Sequence, residues 1–337
     1  MNSTSVIDDR TKEIAAGIVN DVAANGEDAV RKYAARFGDI AALDAPLVLT
    51  KAELEAAFYR VPKEERELLQ RTATRVAFFA EAQRDSLNRE LSVKICAGGA
   101  AGHSVAAMKI AGCYAPGGRY PLPSSVIMGA VPARVAGCEY VIAASPHPSD
   151  VTLAAAFIAG VDSFLVVGGA QAIAAMAFGL SGATRLPACD VVVGPGNRFV
   201  TAAKALVQST GRVAIDMLAG PSEVLVIADA TADAAVVAAD LIAQSEHDVL
   251  ATAILVTTDG AFAAQVETHL AAQLDALVEP NRGVALQVRR SFLLFASCSF
   301  VCSSLLFFSS SRLLVFSSSR LLLFSSSPLL VFSSSPL

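Results

Sequence analysis

The chain has 337 residues, enough for two domains with separate hydrophobic cores, and 54% of them are apolar. Five of the 26 basic residues and no acidic residue follow Glu279, so residues 1–279 carry 21 basic against 31 acidic side chains. This acidic balance argues against a nucleic-acid partner, because binding phosphates requires a basic face.

The first segment of the chain carries no recognisable targeting signal. Residues 1–10 contain charges of both signs and lack the apolar run of a secretory signal peptide. The six cysteines are scattered, without a Cys-x-x-Cys pair or zinc-finger spacing, which is typical of reduced thiols. We therefore expect a cytoplasmic location.

Helical spacing of apolar residues dominates the first 85 positions. It predicts a helix over 10–25 that Gly26 ends, followed directly by a second helix. Thr50 and Glu53 fit a capping box that opens a third helix, and a charged amphipathic stretch at 62–84 predicts a fourth. The N-terminal region is therefore predicted to be mainly helical.

After Ala111 short apolar runs alternate with helical segments. The predicted strands lie at 140–145, 163–167, 191–193, 223–228 and 251–257. The predicted helices lie at 124–135, 149–159, 170–178, 198–208 and 231–244. This alternation is typical of an α/β fold with parallel sheets covered by helices, in which ligands bind beyond the carboxyl ends of the strands.

The last 49 residues have a different composition. Residues 309–332 repeat an eight-residue unit three times, as SSSRLLVF, SSSRLLLF and SSSPLLVF, and a partial fourth copy follows. We predict that 289–337 is a disordered low-complexity tail, arising from a simple DNA repeat or an out-of-frame extension. Residues 291–308 are uncharged, but five are serine and the run is at the short limit for crossing a bilayer, so no membrane partner is expected.

Gln244 and His247 are the most informative polar pair. Residues three apart share one face of a helix, so a carbonyl oxygen and an imidazole nitrogen could meet one substrate or metal ion. The alternative is an exposed Gln and a His placed favourably at the negative end of the helix dipole, and the spacing alone favours this reading.

Glycine-rich links carry the remaining candidates. Ser222, in Gly-Pro-Ser, offers a hydroxyl to a substrate or bonds its own backbone in a turn. Asn197, in Gly-Pro-Gly-Asn, lies where a helix N-terminus could hold an anionic or ribose group, or it caps that helix. Tyr114 could stack on a ring or pack at a strand end. The sequence has no Gly-x-Gly-x-x-Gly, so these residues alone do not indicate NAD.

Five motifs in order resemble the histidinol dehydrogenase family. They are Gly-Cys-Tyr-Ala-Pro-Gly-Gly at 112–118, Gly-Gly-Ala-Gln-Ala-Ile at 168–173, Gly-Pro-Gly-Asn at 194–197, Ala-Gly-Pro-Ser-Glu-Val at 219–224 and Gln-Ser-Glu-His at 244–247. The resemblance covers about 85% of the chain, up to Val288. It implies two incomplete Rossmann-like parallel-sheet domains after an N-terminal helical region. The first would combine 1–110 with 222–288, and the second, on the cofactor side, would be 111–221.

The resemblance also implies an activity and a set of site residues. The family oxidises L-histidinol to L-histidine in histidine biosynthesis with NAD and zinc, as a homodimer. By motif, Tyr114, Gln171 and Asn197 match NAD-contacting positions. The substrate contacts match Ser222, Gln244 and His247, and the last two of these are also zinc ligands.

This chain departs from the family pattern at its C-terminus. The family's catalytic Glu–His pair, two further zinc ligands and the dimer domain all follow the point where the Ser/Leu/Phe repeats begin. We therefore expect no catalytic residue in this chain, an incomplete zinc site, impaired catalysis and weakened dimerisation. Two alternatives remain: a related dehydrogenase of an anionic alcohol, suggested by Arg119, and a non-catalytic nucleotide-binding or dimer-forming remnant.

Overall fold

A computed structural model describes residues 8–117, 121–218, 223–246, 251–279, 281–288, 294–295 and 322–325. Contacts divide the chain into two compact units, Met1–Gly220 and Pro221–Leu337. Each unit contains a sheet and helices, so the predicted α/β class is confirmed. No described helix is both long enough and apolar enough to cross a membrane. The 291–308 run lies almost wholly outside the described residues.

Helices make up the N-terminal part of the first unit. They are α1 (Asp9–Phe37), α2 (Lys51–Arg60) and α3 (Lys63–Asp85). The predicted break at Gly26 appears as a kink within α1, where the Gly26 backbone has φ +54° and ψ −126°. The predicted capping box opens α2, because the Thr50 backbone N–H donates to Glu53 Oε2 at 2.7 Å.

The remaining elements of the first unit build one main sheet and two hairpins. The strands are β1 (Val48–Thr50), β2 (Glu90–Cys96), β3 (Gly99–Ser104), β4 (Ile110–Tyr114), β5 (Tyr140–Ala144), β6 (Ser163–Leu165), β7 (Leu180–Ser181), β8 (Arg185–Leu186), β9 (Val191–Val193) and β10 (Ala214–Ile215). The helices are α4 (Pro123–Ala136), α5 (Asp150–Ile158), α6 (Gly169–Phe178) and α7 (Arg198–Ser209).

The main sheet has the strand order β1-β6-β5-β4-β9-β10, parallel except for β1. Two cores cover its faces. Helices α1, α6 and α7 pack together around Ile142, Leu165 and Ile173 on one face. Helices α2, α3, α4 and α5 pack around Ile127 and Phe164 on the other. Strand residues are apolar on both sides because both faces are covered.

A buried ion pair fastens α1 to the β7–β8 hairpin. The Arg31 Nε donates to Glu27 Oε1 at 2.8 Å, and the Thr184 backbone N–H donates to Glu27 Oε2 at 2.8 Å. Burial alone would raise the pKa of Glu27, but the hydrogen bonds from Thr184 and Arg31 outweigh it and lower that pKa below 4.5.

This pair predicts a pH-dependent loss of stability. A carboxylate with a lowered pKa stabilises the folded state above its unfolded pKa of 4.5, and the contribution disappears as the pH falls through the lower folded value. We expect Glu27→Gln to lower the free energy of unfolding by about 2 kcal/mol at pH 7, and the deficit to shrink below pH 4.5. Urea unfolding at several pH values measures this, with exposed Glu55→Gln as the control; a deficit that does not change with pH would contradict it.

The second unit is smaller. It contains β11 (Glu223–Ile227), α8 (Ala234–Ser245), β12 (Thr252–Thr257), α9 (Gly260–Ala276), α10 (Asn281–Val288), β13 (Leu294–Phe295) and β14 (Leu322–Ser325). Its sheet has the order β13-β12-β11-β14, and only β14 is antiparallel to its neighbour. Val226, Leu241, Leu255 and Phe262 form its core.

The predicted domain division differs from the division by contacts. The prediction combined 1–110 with 222–288, whereas the contacts place the N-terminal helices with the 111–220 sheet. The physical reason is that α1 packs against α6 and α7, and α3 packs against α4. The predicted grouping stays a prediction, as does disorder of the 289–337 tail, of which β13 and β14 are the described parts.

Candidate functional site

The strand order of the main sheet reverses direction between β4 and β9. From β4 the chain winds outward through β5 and β6, and it then crosses to the other side of β4 to form β9 and β10. Such a reversal leaves a crevice at the carboxyl ends of the two strands, where open α/β sheets bind ligands. The links that follow these strands are residues 115–117 and 194–197.

Glycine allows the links around this crevice to approach closely. A Cβ atom on Gly117 would lie 2.4 Å from the Pro146 carbonyl oxygen, and one on Gly168 would lie 2.7 Å from Pro146 Cγ. Gly194 has φ +114°, and a Cβ there would lie 2.0 Å from the Tyr114 carbonyl oxygen. Only glycine fits these positions, so three of the motif glycines serve the packing of the crevice.

A groove of about 1420 Å³ adjoins the crevice. Its lining comes from helices α3 and α4 and from strand and loop residues that include Val193, Gly194, Pro195 and Asp216. Tyr114, Gln171 and Asn197 do not line this groove.

Tyr114 ends β4 and is 4% exposed. Its hydroxyl oxygen accepts a hydrogen bond from the Gly169 backbone N–H at 3.1 Å. Burial raises the pKa of Tyr114 to about 12, with a further contribution from the charge of Asp39, while the Gly169 bond acts in the other direction. The phenol is therefore neutral at physiological pH and links β4 to the start of α6.

Gln171 lies in the first turn of α6 and is 2% exposed. Its Nε2 donates to Asp39 Oδ2 at 3.2 Å, and the Gly168 backbone N–H donates to the same oxygen at 3.0 Å. Its Oε1 has no hydrogen-bond partner among the described residues. A buried acceptor without a donor is uncommon in proteins and calls for a physical explanation.

Asn197 caps α7. Its Oδ1 accepts from the backbone N–H groups of Phe199 at 3.0 Å and Val200 at 3.1 Å. The capping alternative is therefore confirmed, and the carboxamide remains exposed beside the crevice. A contact with a cofactor stays a prediction.

A buried lysine braces the Gly-Pro-Gly-Asn link. Lys204 is 1% exposed, and its Nζ donates to the Gly194 carbonyl oxygen at 2.9 Å and to Asp216 Oδ1. Asp216 Oδ2 in turn accepts from the Gly194 backbone N–H at 2.8 Å. Both polar backbone groups of Gly194 are thereby bound to one ion pair, which fixes the link at the crevice.

The predicted substrate residues belong to the second unit or to its border. Gln244 lies in the last turn of α8. Ser222 and His247 lie outside the described residues, so their proposed contacts stay predictions. The meeting of Gln244 and His247 at one ligand stays a prediction for the same reason.

Comparison with known proteins identifies the family. A profile of the histidinol dehydrogenase family matches residues 2–298. This chain belongs to that family. It is 43% identical over 281 residues to the histidinol dehydrogenase of Neisseria gonorrhoeae strain FA 1090, and 40% identical over 295 residues to that of Bordetella bronchiseptica. The histidinol dehydrogenase crystal structure from Elizabethkingia anophelis superposes with a TM-score of 0.75 at 31% identity.

The match covers most of this chain and a smaller share of its relatives. The match to the Neisseria protein spans 81% of this chain and 63% of that protein. The match to the Bordetella protein spans 84% of this chain and 65% of that protein, and the match to the solved structure spans 84% of this chain and 64% of that structure's chain. The chain therefore covers less than two thirds of the length of these histidinol dehydrogenases.

The residues present do not fit the complete zinc site implied by the family. Within the parts of the chain that the structure describes, no cluster of three or more His, Cys, Asp or Glu side chains could hold a metal ion. Zinc sites use three or four protein ligands, whereas the motifs supply Gln244 and His247, and no Asp or Glu follows Glu279.

Sequence reasoning missed Asp39, Lys204 and Asp216. Lys204 had a signal, because it shares one helical face with the apolar Val200 and Val207, where a lysine is buried only with a partner. Asp39 had none, since its partner Gln171 is 132 positions away.

Proposed function

We propose that this chain carries the dinucleotide-binding part of an NAD-dependent histidinol dehydrogenase and binds NAD, while oxidising L-histidinol poorly. The observation that carries the proposal is the crevice between β4 and β9. Three residues at family NAD positions lie near the carboxyl ends of strands of one sheet: Tyr114 ends β4, Gln171 follows β6 and Asn197 follows β9. We describe this sheet as Rossmann-like on the same ground.

The residues around the crevice fit a dinucleotide. Close-packed glycines allow the backbone to approach a ligand at the carboxyl ends of the strands. The buried Gln171 Oε1 offers an acceptor that the described protein leaves unpaired. NAD, when bound, supplies the hydride acceptor for the oxidation of an alcohol.

The chain's own residues bind and orient in this scheme. Tyr114 holds the start of α6 and stays protonated, so it does not take the proton from an alcohol at neutral pH. The Lys204–Asp216 pair holds the Gly194 link in place. Ser222, Gln244 and His247 would contact the amino alcohol, as their motifs in the family do.

The chain lacks two groups that the oxidation of L-histidinol needs and that the binding of NAD does not. The family's Glu–His pair, which transfers the protons, has no counterpart in this chain, because no acidic residue follows Glu279. The zinc site that orients the substrate is incomplete, so we propose no step through a metal ion. Binding of substrate and oxidation are therefore both weakened more than binding of NAD.

Calorimetric titration of NAD into the full chain tests the proposal. We expect saturable binding, and we expect Asn197→Ala to weaken it. The matched control is Asp259→Ala, which removes the N-cap of α9, whose Oδ1 accepts from the Ala261 backbone N–H at 2.8 Å. Each variant loses one cap, worth about 1 kcal/mol of stability.

The two variants separate a binding role from a stability role. Asp259→Ala should keep the wild-type affinity for NAD. Equal losses in both variants would mean that Asn197 acts only through stability, and no binding by the wild type at millimolar NAD would contradict the proposed function.

A further inference from the structure

Asp39 is held rigidly at the end of α1. Gly38 ends the helix with φ +82°, and the Asp39 backbone N–H donates to the Ala34 carbonyl oxygen at 2.7 Å. This αL termination fixes the direction in which the chain leaves the helix. The half-buried Asp39 carboxylate therefore reaches α6 from a backbone that is itself hydrogen-bonded.

The carboxylate determines which way the Gln171 amide is turned. Its Oδ2 accepts from Gln171 Nε2 at 3.2 Å and from the Gly168 N–H at 3.0 Å. Turning the amide over would place Gln171 Oε1 against an anionic oxygen, which carries no hydrogen to share. The amide nitrogen is therefore committed to Asp39, and the amide oxygen is left to face Gly169.

The amide oxygen is both buried and unpaired. Gln171 is 2% exposed, and its Oε1 has no partner among the described residues. A Cβ atom on Gly169 would lie 2.9 Å from this oxygen, so glycine at this position leaves Oε1 without a side chain packed against it. An acceptor that has lost its water without gaining a donor favours any ligand that supplies one.

We propose that Asp39 is a positioning residue of the nucleotide site, which holds the Gln171 amide so that its oxygen accepts from an N–H or O–H group of the dinucleotide. This inference rests on the proposed NAD binding. Gly169, with φ +66°, is the residue of the Gly168–Gly169 link that faces Oε1.

Exchanging the carboxylate at position 39 and the carboxamide at position 171 tests whether Asp39 positions the Gln171 side chain. Gln171→Glu places two carboxylates face to face, so we expect NAD to bind at least about tenfold more weakly and the Tm to fall. Adding Asp39→Asn supplies an amide donor to the new carboxylate at position 171, although the same amide nitrogen then faces the Gly168 N–H, so we expect the Tm and the affinity for NAD to recover part of the loss caused by Gln171→Glu. Asp39→Asn alone keeps an acceptor for Gly168 and Gln171 and changes the affinity less than about threefold.

We measure the Kd for NAD by calorimetry and the Tm in the absence of NAD. Both are measured for the wild type, the two single variants and the double variant. Rescue of both by the double variant supports the proposal. The proposal is overturned if the losses of Tm and of NAD affinity in the double variant equal the sum of the losses in the two single variants. It is also overturned if the double variant recovers the Tm but not the affinity for NAD, because Asp39 then has only a structural role. Failure of the wild type to bind NAD overturns the proposed function itself, and the ligand role of Gln171 falls with it.

Discussion

Lys204→Met is expected to lower the free energy of unfolding by about 3 kcal/mol and to weaken NAD binding. Methionine keeps the apolar stem of this 1% exposed side chain, but it removes the ammonium group that pairs with Asp216 and donates to the Gly194 carbonyl oxygen, so Asp216 keeps only its backbone donors. Breaking a buried ion pair typically costs about 3–5 kcal/mol, and Asp216 is one-third exposed, which favours the lower end. Urea unfolding and calorimetry with NAD measure the two effects.

The control is Lys63→Met on the surface. Lys63 is 80% exposed and lies 3.7 Å from Glu67, so its removal should change stability by less than about 0.5 kcal/mol and leave the NAD affinity unaltered. If Lys204→Met and the wild type had equal free energies of unfolding, the Lys204–Asp216 ion pair would not contribute to the stability of the fold. Loss of stability with unchanged NAD affinity would show that the Gly194 link is not part of the nucleotide site.

Local sequence signals predicted the elements that lie on either side of the crevice. Residues 149–159 and 198–208 were predicted as helices and form α5 and α7 within one or two positions. Ser149 and Asn197 supply the caps that start them, through contacts between residues two or three apart. Such signals can be read from the sequence because the capping residue and the backbone N–H groups that it binds lie within one helical turn.

The parts that were not predicted depend on distant contacts. The Asp39–Gln171 and Asp39–Gly168 bonds span 132 and 129 positions, and nothing near Asp39 indicates them. The β2–β3 hairpin was also missed, but for another reason: Leu91, Val93 and Ile95 alternate with Glu90, Ser92 and Lys94, and this local strand signal was overlooked.

The candidate site was predicted unevenly. Motif order placed Tyr114, Gln171 and Asn197, and the structure brings the links that hold them to one sheet edge. Of the roles of these side chains, only the helix cap by Asn197 Oδ1 was predicted, because its partners lie two and three residues away. The Tyr114 hydroxyl accepts from Gly169 and the Gln171 amide is held by Asp39, and both roles depend on elements that are distant in the sequence.

Turnover of L-histidinol by this chain is expected to be at least about 10²-fold slower than by the full-length Neisseria gonorrhoeae relative. Proton transfer by a positioned base contributes about 10²–10⁴-fold to a rate, and the family's Glu–His pair has no counterpart after Glu279. The neutral Tyr114 phenol, with its pKa of about 12, does not replace it. We also expect weaker substrate binding, because the motifs supply only Gln244 and His247 of the proposed zinc ligands.

The formation of NADH at saturating NAD, with L-histidinol and zinc present, tests directly whether this chain binds NAD but oxidises L-histidinol slowly. It is followed by absorbance for this chain and the Neisseria gonorrhoeae relative in parallel, after calorimetry has established the NAD concentration that saturates each. We predict that this chain binds NAD and forms NADH at least about 10²-fold more slowly. A rate within about tenfold of the relative's rate would contradict the proposed slow oxidation of L-histidinol. Such a rate would require an acid–base group in this chain that replaces the family's Glu–His pair.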